Sequence, residues 1–175
     1  MKVTNHLHKT EKRWFAVATK FKCEKYVVEQ LSRKGIIAYV PLIRTTKKYE
    51  SRIKSHDKPL IHCYAFVQIS SEEYISVLET DYVIKFIKQR KDLLSIPDKE
   101  IQLLQQIVGE YQGSIDVVEK RFSVGQEVDI VAGHLTGLKG RIIEGSLNKA
   151  ILVELEHIGI QLRIQVDENL LVKSI

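Results

Sequence analysis

Cysteine is scarce in this 175-residue chain, which has only Cys23 and Cys63. Two thiols are too few for a disulfide scaffold, so a reduced, cytoplasmic chain is expected. No C-x-x-C or H-x-x-x-H spacing occurs, and a metal site is not expected. Long hydrophobic runs are missing as well, and nothing approaches the ~20 apolar residues of a membrane span. The first thirteen residues carry Lys2, His6, His8, Lys9, Lys12 and Arg13 around no apolar core, so no secretory signal is expected. His62 and Cys63 are neighbours in a β-prone run, which sends their side chains to opposite faces and disfavours a Cys/His dyad. Gly133-His-Leu-Thr-Gly137-Leu-Lys-Gly140 is glycine-rich but lacks the G-x-x-x-x-G-K-S/T spacing of a phosphate loop. With no convergent acid, base, nucleophile or metal set, neither an enzyme nor a cofactor is expected.

What is present is ordinary globular material, 44% hydrophobic and 28% charged, enough for one domain or two small ones. The net charge of +5 is unevenly placed. Residues 1–110 hold 20 Lys and Arg against 13 Asp and Glu, a balance of +7, while residues 111–175 hold 7 against 9, a balance of −2. The basic excess lies wholly in the first part, which suits a polyanionic partner.

The pattern along the chain divides the same way. Arg13-Trp-Phe-Ala-Val-Ala-Thr19 is a short aromatic and β-branched run, and predicts a strand. Cys23, Val27 and Leu31 recur at i+4 and predict a helix from Lys22 to Lys34, with Gly35 placed as its C-terminal glycine. Lys25, Glu29 and Arg33 supply two i,i+4 opposite-charge pairs on its exposed side. Ile36–Ile43 returns to strand composition. Residues 44–58 then carry six Lys or Arg, two acids and few apolar residues, and predict a long exposed loop or flexible hairpin closed by Pro59. Leu60–Ile69 is strongly β-prone. Ser70 and Glu73 form a capping box ahead of Tyr74, Ile75 and Leu78. Tyr82–Ile87 predicts a strand, and Pro97 opens a helix in which Ile101, Leu104 and Val108 share a face. The order β-α-β-(basic loop)-β-α-β-α is a split βαβ arrangement, an α+β antiparallel sheet with helices on one side.

Residues 111–121 have linker composition. Beyond them the pattern is all-β: short alternating runs around Val128, Ile142, Ile151, Val153, Leu162 and Ile164, with turns at Gly133, Gly137, Gly140, Gly145 and Gly159. Four or five short strands in so few residues predict a small SH3-like barrel.

Two constellations stand out. Tyr64 and Phe66 project from one side of a strand, and the helices need only one face of the sheet. Their rings either pack in the core, stack nucleic-acid bases or line an apolar pocket for a partner helix. In the basic segment, Arg44, Lys47, Lys48, Arg52 and Lys54 are either a solvated surface or a clamp on nucleic-acid phosphates.

The segment Gly125…Val128-Asp-Ile-Val-Ala-Gly133-His-Leu-Thr-Gly-Leu-Lys-Gly140-Arg-Ile142 resembles a KOW motif. Trp14-Phe-Ala-Val-Ala-Thr-Lys20, Pro59-Leu-Ile-His-Cys-Tyr64-Ala-Phe66-Val67, Phe86 and Ile96-Pro97 follow in the order of the NusG N-terminal domain. Together these runs resemble the NusG/RfaH family of transcription elongation factors from about Arg13 to Val172. The resemblance implies an N-terminal domain over 11–110, a linker over 111–121 and a KOW barrel over 122–175. It also implies a cytoplasmic, monomeric factor that binds the clamp helices of RNA polymerase and suppresses pausing and termination without covalent chemistry. By the same resemblance Tyr64, Phe66, Ile101 and Leu104 would bind the polymerase. Lys20, with Lys22 and Lys25 nearby, would face upstream or non-template DNA in the elongation complex. Leu135 and Leu138 stand where the family places phenylalanines that meet ribosomal protein or Rho. The threonine-rich stretch by which RfaH reads a displaced DNA strand is replaced here by Tyr74-Ile-Ser-Val-Leu78. That departure and the basic segment at 44–58 look like a specialised paralogue, similar to the UpxY-like antiterminators of capsular polysaccharide operons. The alternative is a KOW-type RNA-binding or ribosome-associated protein, against which the −2 balance of residues 111–175 argues.

Overall fold

The computed structural model describes residues 4–49, 52–89, 91–110, 115–118, 127–130, 136–137, 139–144, 148–155, 160–167 and 171–173. The chain divides into two compact units, Met1–Asp98 and Lys99–Ile175.

The first unit is built from β1 (Arg13–Thr19), α1 (Glu24–Arg33), β2 (Ile37–Tyr39), β3 (Leu42–Tyr49), β4 (Arg52–Pro59), β5 (Tyr64–Ile69), α2 (Tyr74–Leu78) and β6 (Val83–Phe86). A single 3-10 turn, Ser71–Glu73, leads into α2. Four strands make an antiparallel sheet in the order β2-β5-β1-β6. One face carries the core: Phe15 and Val17 from β1, Ala65, Val67 and Ile69 from β5, Val27 and Leu31 from α1, and Val77 from α2. Phe15 meets Phe86 edge-on with ring centroids 6.3 Å apart. Burying side chains of this size contributes roughly 1.5–3 kcal/mol each.

The end of α1 is set by its glycine. Gly35 takes φ +75°, where a side chain would be strained. Its N–H donates to Ser32 O at 2.9 Å, and Ile36 N–H reaches back to Leu31 O at 3.0 Å. This paired closure brings Ile36 and Leu31 into the same core. The helix begins at Glu24, two residues after the expected start, because Lys22 sits at φ +63°. Glu29 pairs with Arg33 as expected. Lys25 does not join them; its Nζ donates instead to the Asp57 carbonyl at 3.1 Å. Ahead of α2, the Ser70 N–H donates to Glu73 Oε2 at 3.0 Å, the backward half of the expected box. Lys12 Nζ reaches Glu73 Oε1 at 2.6 Å. Burial pushes the Glu73 carboxyl up, but Lys12 and the Ser70 N–H outweigh it and hold it below its ordinary value.

Of the two alternatives for the basic segment, the structure takes the hairpin, a regular two-stranded ribbon with β3 and β4 paired from Leu42↔Pro59 to Tyr49↔Arg52. Its alternating Thr, Ile and Tyr residues suit a ladder, but neither face has the apolar row by which strands are usually recognised. The expected strand over Leu60–Ile69 begins only at Tyr64, because Cys63 takes φ +63° and turns the chain.

The second unit contains α3 (Asp98–Glu110) and β7 (Ile115–Val118), β8 (Glu127–Ile130), β9 (Lys139–Glu144), β10 (Asn148–Leu155), β11 (Ile160–Asp167) and β12 (Leu171–Lys173). The helix falls with this unit, although the sequence reading groups it with the first domain. Its fully buried stripe is Ile101, Leu104 and Ile107, and Val108 is only half-buried. The strands form one antiparallel sheet in the order β12-β8-β9-β10-β11-β7. Its longest ladder runs from Asn148↔Asp167 to Leu155↔Ile160 and buries Ile151, Val153, Leu162 and Ile164. The strand β7 lies inside the expected linker, where Ile115-Asp-Val-Val118 is apolar enough to pair with β11. Gly140 is packed so tightly against β10 that a Cβ there would stand 3.0 Å from Leu152 O.

Candidate nucleic-acid and partner interface

With Phe15, Val17, Ala65, Val67 and Ile69 turned to the core under α1 and α2, strand alternation sends Trp14, Ala16, Ala18, Tyr64, Phe66 and Gln68 to the other face. Register aligns them in rows. Phe66 lies between Ala16 on β1 and Tyr39 on β2, Tyr64 lies opposite Ala18, and Gln68 lies opposite Trp14 and Ile37. The two alanines add no bulk beside the rings. The Tyr39 and Phe66 centroids are 6.3 Å apart. Burial pushes the Tyr39 phenol up to about 12, so it stays neutral. Tyr64 and Phe66 therefore share the face opposite the helices, as their spacing predicts. They are not equally accessible: Phe66 is 0% exposed, and Tyr64 is half-buried. Ile37, on the edge strand β2, is 51% exposed. In the second unit, Ile101 and Leu104 are 2% and 0% exposed on α3.

The basic residues at the end of β1 occupy a distinctive corner. Among the described residues, the non-glycine positions with positive φ are Lys22, Cys63 and Tyr82, and all three meet here. Thr19 N–H donates to Cys63 O, and Lys20 N–H to Tyr82 O, each at 2.9 Å. The left-handed turn at Cys63 is held by Glu24, whose Oε1 accepts the Cys63 N–H at 2.7 Å although Glu24 is only 1% exposed. Thr19 is also 1% exposed, and its hydroxyl has no hydrogen-bond partner. Backbone held in such sparsely populated conformations tends to mark functional sites.

This corner holds aromatic side chains at the surface. Phe21, Tyr26 and Tyr82 are each more than two-fifths exposed. Tyr26 meets Tyr82 edge-on at 5.3 Å, and Phe21 lies 5.8 Å from His62. Lys20 Nζ stands 5.6 Å from the Tyr82 centroid, and Lys22 Nζ 5.4 Å from that of Phe21. Sequence reasoning found the lysines Lys20, Lys22 and Lys25 but missed these rings. The alternation Lys20-Phe21-Lys22 was the available signal, since a basic–aromatic interleave is unusual for a buried turn. The bond from Lys25 to Asp57 ties the corner to the base of the β3–β4 ribbon.

On that ribbon Arg44 is exposed and approaches Asp57 Oδ1 at 3.4 Å. Lys47 and Lys48 on β3, and Arg52 and Lys54 on β4, take paired positions in the ladder. Their side chains lie outside the described residues. Leu135 and Leu138 also lie outside the described residues; between them, Gly137 turns at φ +89° and its N–H donates to Ile130 O at 2.7 Å. Cys23 and Cys63 are free thiols. Among the described residues, no helix is long and apolar enough to cross a membrane.

Comparison with known proteins adds three findings. The family model described as "Transcription termination factor nusG" matches residues 12–105. No curated protein matches the chain. Of solved structures, one from work on domain interaction in Thermotoga maritima NusG is similar, with a TM-score of 0.60 at 20% identity over 93% of this chain and 97% of that one. The MjSpt4:Spt5 complex gives a TM-score of 0.32 at 15% identity, over 91% of this chain and 95% of that one.

Proposed function

The chain belongs to the NusG family of transcription factors, and on that premise we propose that it is a non-enzymatic antitermination and elongation factor. It binds the clamp helices of RNA polymerase through the face of its first sheet opposite α1 and α2 and disfavours pausing and termination. The observation that carries this reading is the accessible pair of half-buried Tyr64 and exposed Ile37 beside the largely buried Tyr39–Phe66–Ala16 row, on the sheet face opposite α1 and α2. Apolar side chains of an amphipathic helix are the natural occupants of such a face. The KOW-like sequence of the second unit supports reading it as a KOW barrel domain, in which Leu135 and Leu138 would meet ribosomal protein or Rho.

Nucleic acid in the elongation complex is held at the corner of Lys20, Lys22 and Lys25 and along the ribbon that carries Arg44, Lys47, Lys48, Arg52 and Lys54. Mobile counterions leave as phosphates are neutralised, so the contact is salt-dependent. The basic ribbon favours a specialised factor that works on particular operons, such as surface polysaccharide loci, over a general one.

The direct test is capture of the full chain on a clamp-helix fragment, comparing wild type with Tyr64→Ala. Phe66→Ala is less informative, because emptying a fully buried aromatic site costs roughly 3–5 kcal/mol and threatens the fold. Weaker capture by a folded Tyr64→Ala protein is expected, and equal capture removes the pocket assignment. Read-through of a terminator-bearing template in vitro, with and without the protein, tests the antitermination step.

A further inference from the structure

A cavity of about 350 Å³ lies in the first unit, sharing no lining residue with the aromatic row or the basic corner, lined by Thr4, Asn5, Leu7, Ser71, Tyr74, Lys88, Lys91 and Leu93. One wall is a segment of chain that precedes residue 12, where the match to the family begins. That segment is built in rather than loosely draped. Thr4 N–H donates to Asp92 Oδ1 at 2.6 Å, Leu93 N–H to Thr4 O at 3.0 Å, and His6 N–H to Leu93 O at 2.8 Å. Ser95 N–H donates to His6 Nδ1 at 3.1 Å, and Ser71 N–H to His8 O at 2.8 Å. The opposite wall is equally fixed, since the Tyr74 ring lies flat on Phe86 at 4.5 Å.

The chemistry of the lining has one sign. It holds two ammonium groups, an amide, three hydroxyls and no carboxylate. Among the described residues neither Lys88 nor Lys91 has an ion-pair partner. The nearest acid in sequence, Asp92, already has Oδ1 engaged by the Thr4 N–H. Lys88 precedes, and Lys91 lies between, Gln89 and Asp92, which exchange backbone hydrogen bonds of 3.0 and 2.9 Å, and both lysines line the cavity. Leu7, Leu93 and the Tyr74 ring supply apolar surface within the same space. A cavity lined by two ammonium groups, hydroxyl and amide groups and the apolar surface of Leu7, Leu93 and Tyr74 fits an anion with an organic body.

We propose that this cavity binds a small phosphate-bearing organic anion of mononucleotide size, with the phosphate at Lys88 and Lys91 and the organic part over Leu7, Leu93 and Tyr74. The volume lies at the lower end of the range for small-molecule sites, roughly 300–1,000 Å³, which favours a mononucleotide over a larger cofactor. The site does not depend on the transcription reading, because its wall and its lysines take no part in the surfaces assigned to polymerase or nucleic acid. Bound ligand would also tie the segment from Thr4 to His8 more firmly to the turn at Leu93.

The test is titration calorimetry of the full chain with adenosine 5′-monophosphate, inorganic phosphate and unphosphorylated adenosine as separate probes. Adenosine monophosphate should bind, inorganic phosphate should bind about tenfold more weakly, and adenosine should not bind measurably. The variant Lys88→Gln/Lys91→Gln changes exposed side chains and should fold normally while raising the dissociation constant at least about tenfold, or 1.4 kcal/mol. In wild type, the monophosphate should slow amide exchange at His6 and Leu93; in the double variant it should not. Absence of binding at millimolar monophosphate overturns the proposal, as does equal affinity in the double variant. Equal affinity for inorganic phosphate overturns the mononucleotide assignment.

Discussion

Replacing Glu24 by alanine tests whether one buried carboxylate holds the basic corner together. Glu24 is 1% exposed and its Oε1 accepts the N–H of Cys63 at 2.7 Å, fixing a residue at φ +63°. Deleting the acceptor strands a partly buried donor, at about 1–3 kcal/mol. Loss of the buried Cγ methylene adds about 0.8 kcal/mol. Relief of the desolvated carboxylate offsets part of this, and a net loss of about 2 kcal/mol is expected. Glu24→Gln keeps the shape and an oxygen acceptor but gives up the charge, which weakens the bond by roughly half and predicts a loss near 1 kcal/mol. The assay is urea unfolding followed by Trp14 emission. Trp14 is the only tryptophan, is 8% exposed and lies in the first unit, so the signal reports that unit alone. At about 4–8 °C per kcal/mol for a domain of this size, the alanine variant should also melt roughly 8–16 °C lower. The reasoning fails if Glu24→Ala unfolds within about 0.5 kcal/mol of wild type, or if glutamine costs as much as alanine.

Gly35→Ala should cost about 1 kcal/mol through backbone strain alone, because φ is +75° and an added Cβ would meet nothing within 4 Å; the same Trp14 unfolding curve measures it. Gly140→Ala should destabilise the second unit by about 1–3 kcal/mol through overpacking, since its Cβ would lie 3.0 Å from Leu152 O and 3.2 Å from Ile151 Cδ1; amide exchange along β10 is the readout. Glu73 has a depressed folded pKa, so its contribution is complete above its unfolded value and is lost as pH falls through the lower folded one. Glu73→Gln should flatten that part of the acid limb of stability, and an unchanged limb would mean that Lys12 does not hold the carboxylate.

Much of the first unit was legible because its elements state their period plainly. The i+4 spacing of Val27 and Leu31, the glycine after the helix and the Ser70–Glu73 pair each correspond to a local interaction seen in the structure. The side of the sheet bearing Tyr64 and Phe66 followed from alternation. Their accessibility did not, because burial depends on what is packed around a side chain and strand period carries no such information. The turn at Cys63 and the break at Lys22 were hidden for another reason. Left-handed backbone at residues other than glycine is imposed by tertiary contacts, here the Glu24 carboxylate and the bonds from Thr19 and Lys20. The strand β7 was missed because four residues amid polar neighbours give no period until β11 offers a partner.

The β3–β4 ribbon shows why its charge and its regularity belong to different parts of the argument. Register sets Lys47 opposite Lys54, a like-charge pairing that works against the ladder. The described ion pair, Arg44 with Asp57, is exposed and 3.4 Å long, so it contributes less than about 1 kcal/mol. Folding therefore gains little from the positive charge gathered between residues 44 and 58, while the backbone ladder runs unbroken from Leu42↔Pro59 to Tyr49↔Arg52. Ladder hydrogen bonds, rather than these charges, give the ribbon its shape. Lys25 ties the base of the ribbon to α1 through the Asp57 carbonyl, so the two basic features that look separate in the sequence are joined at that bond.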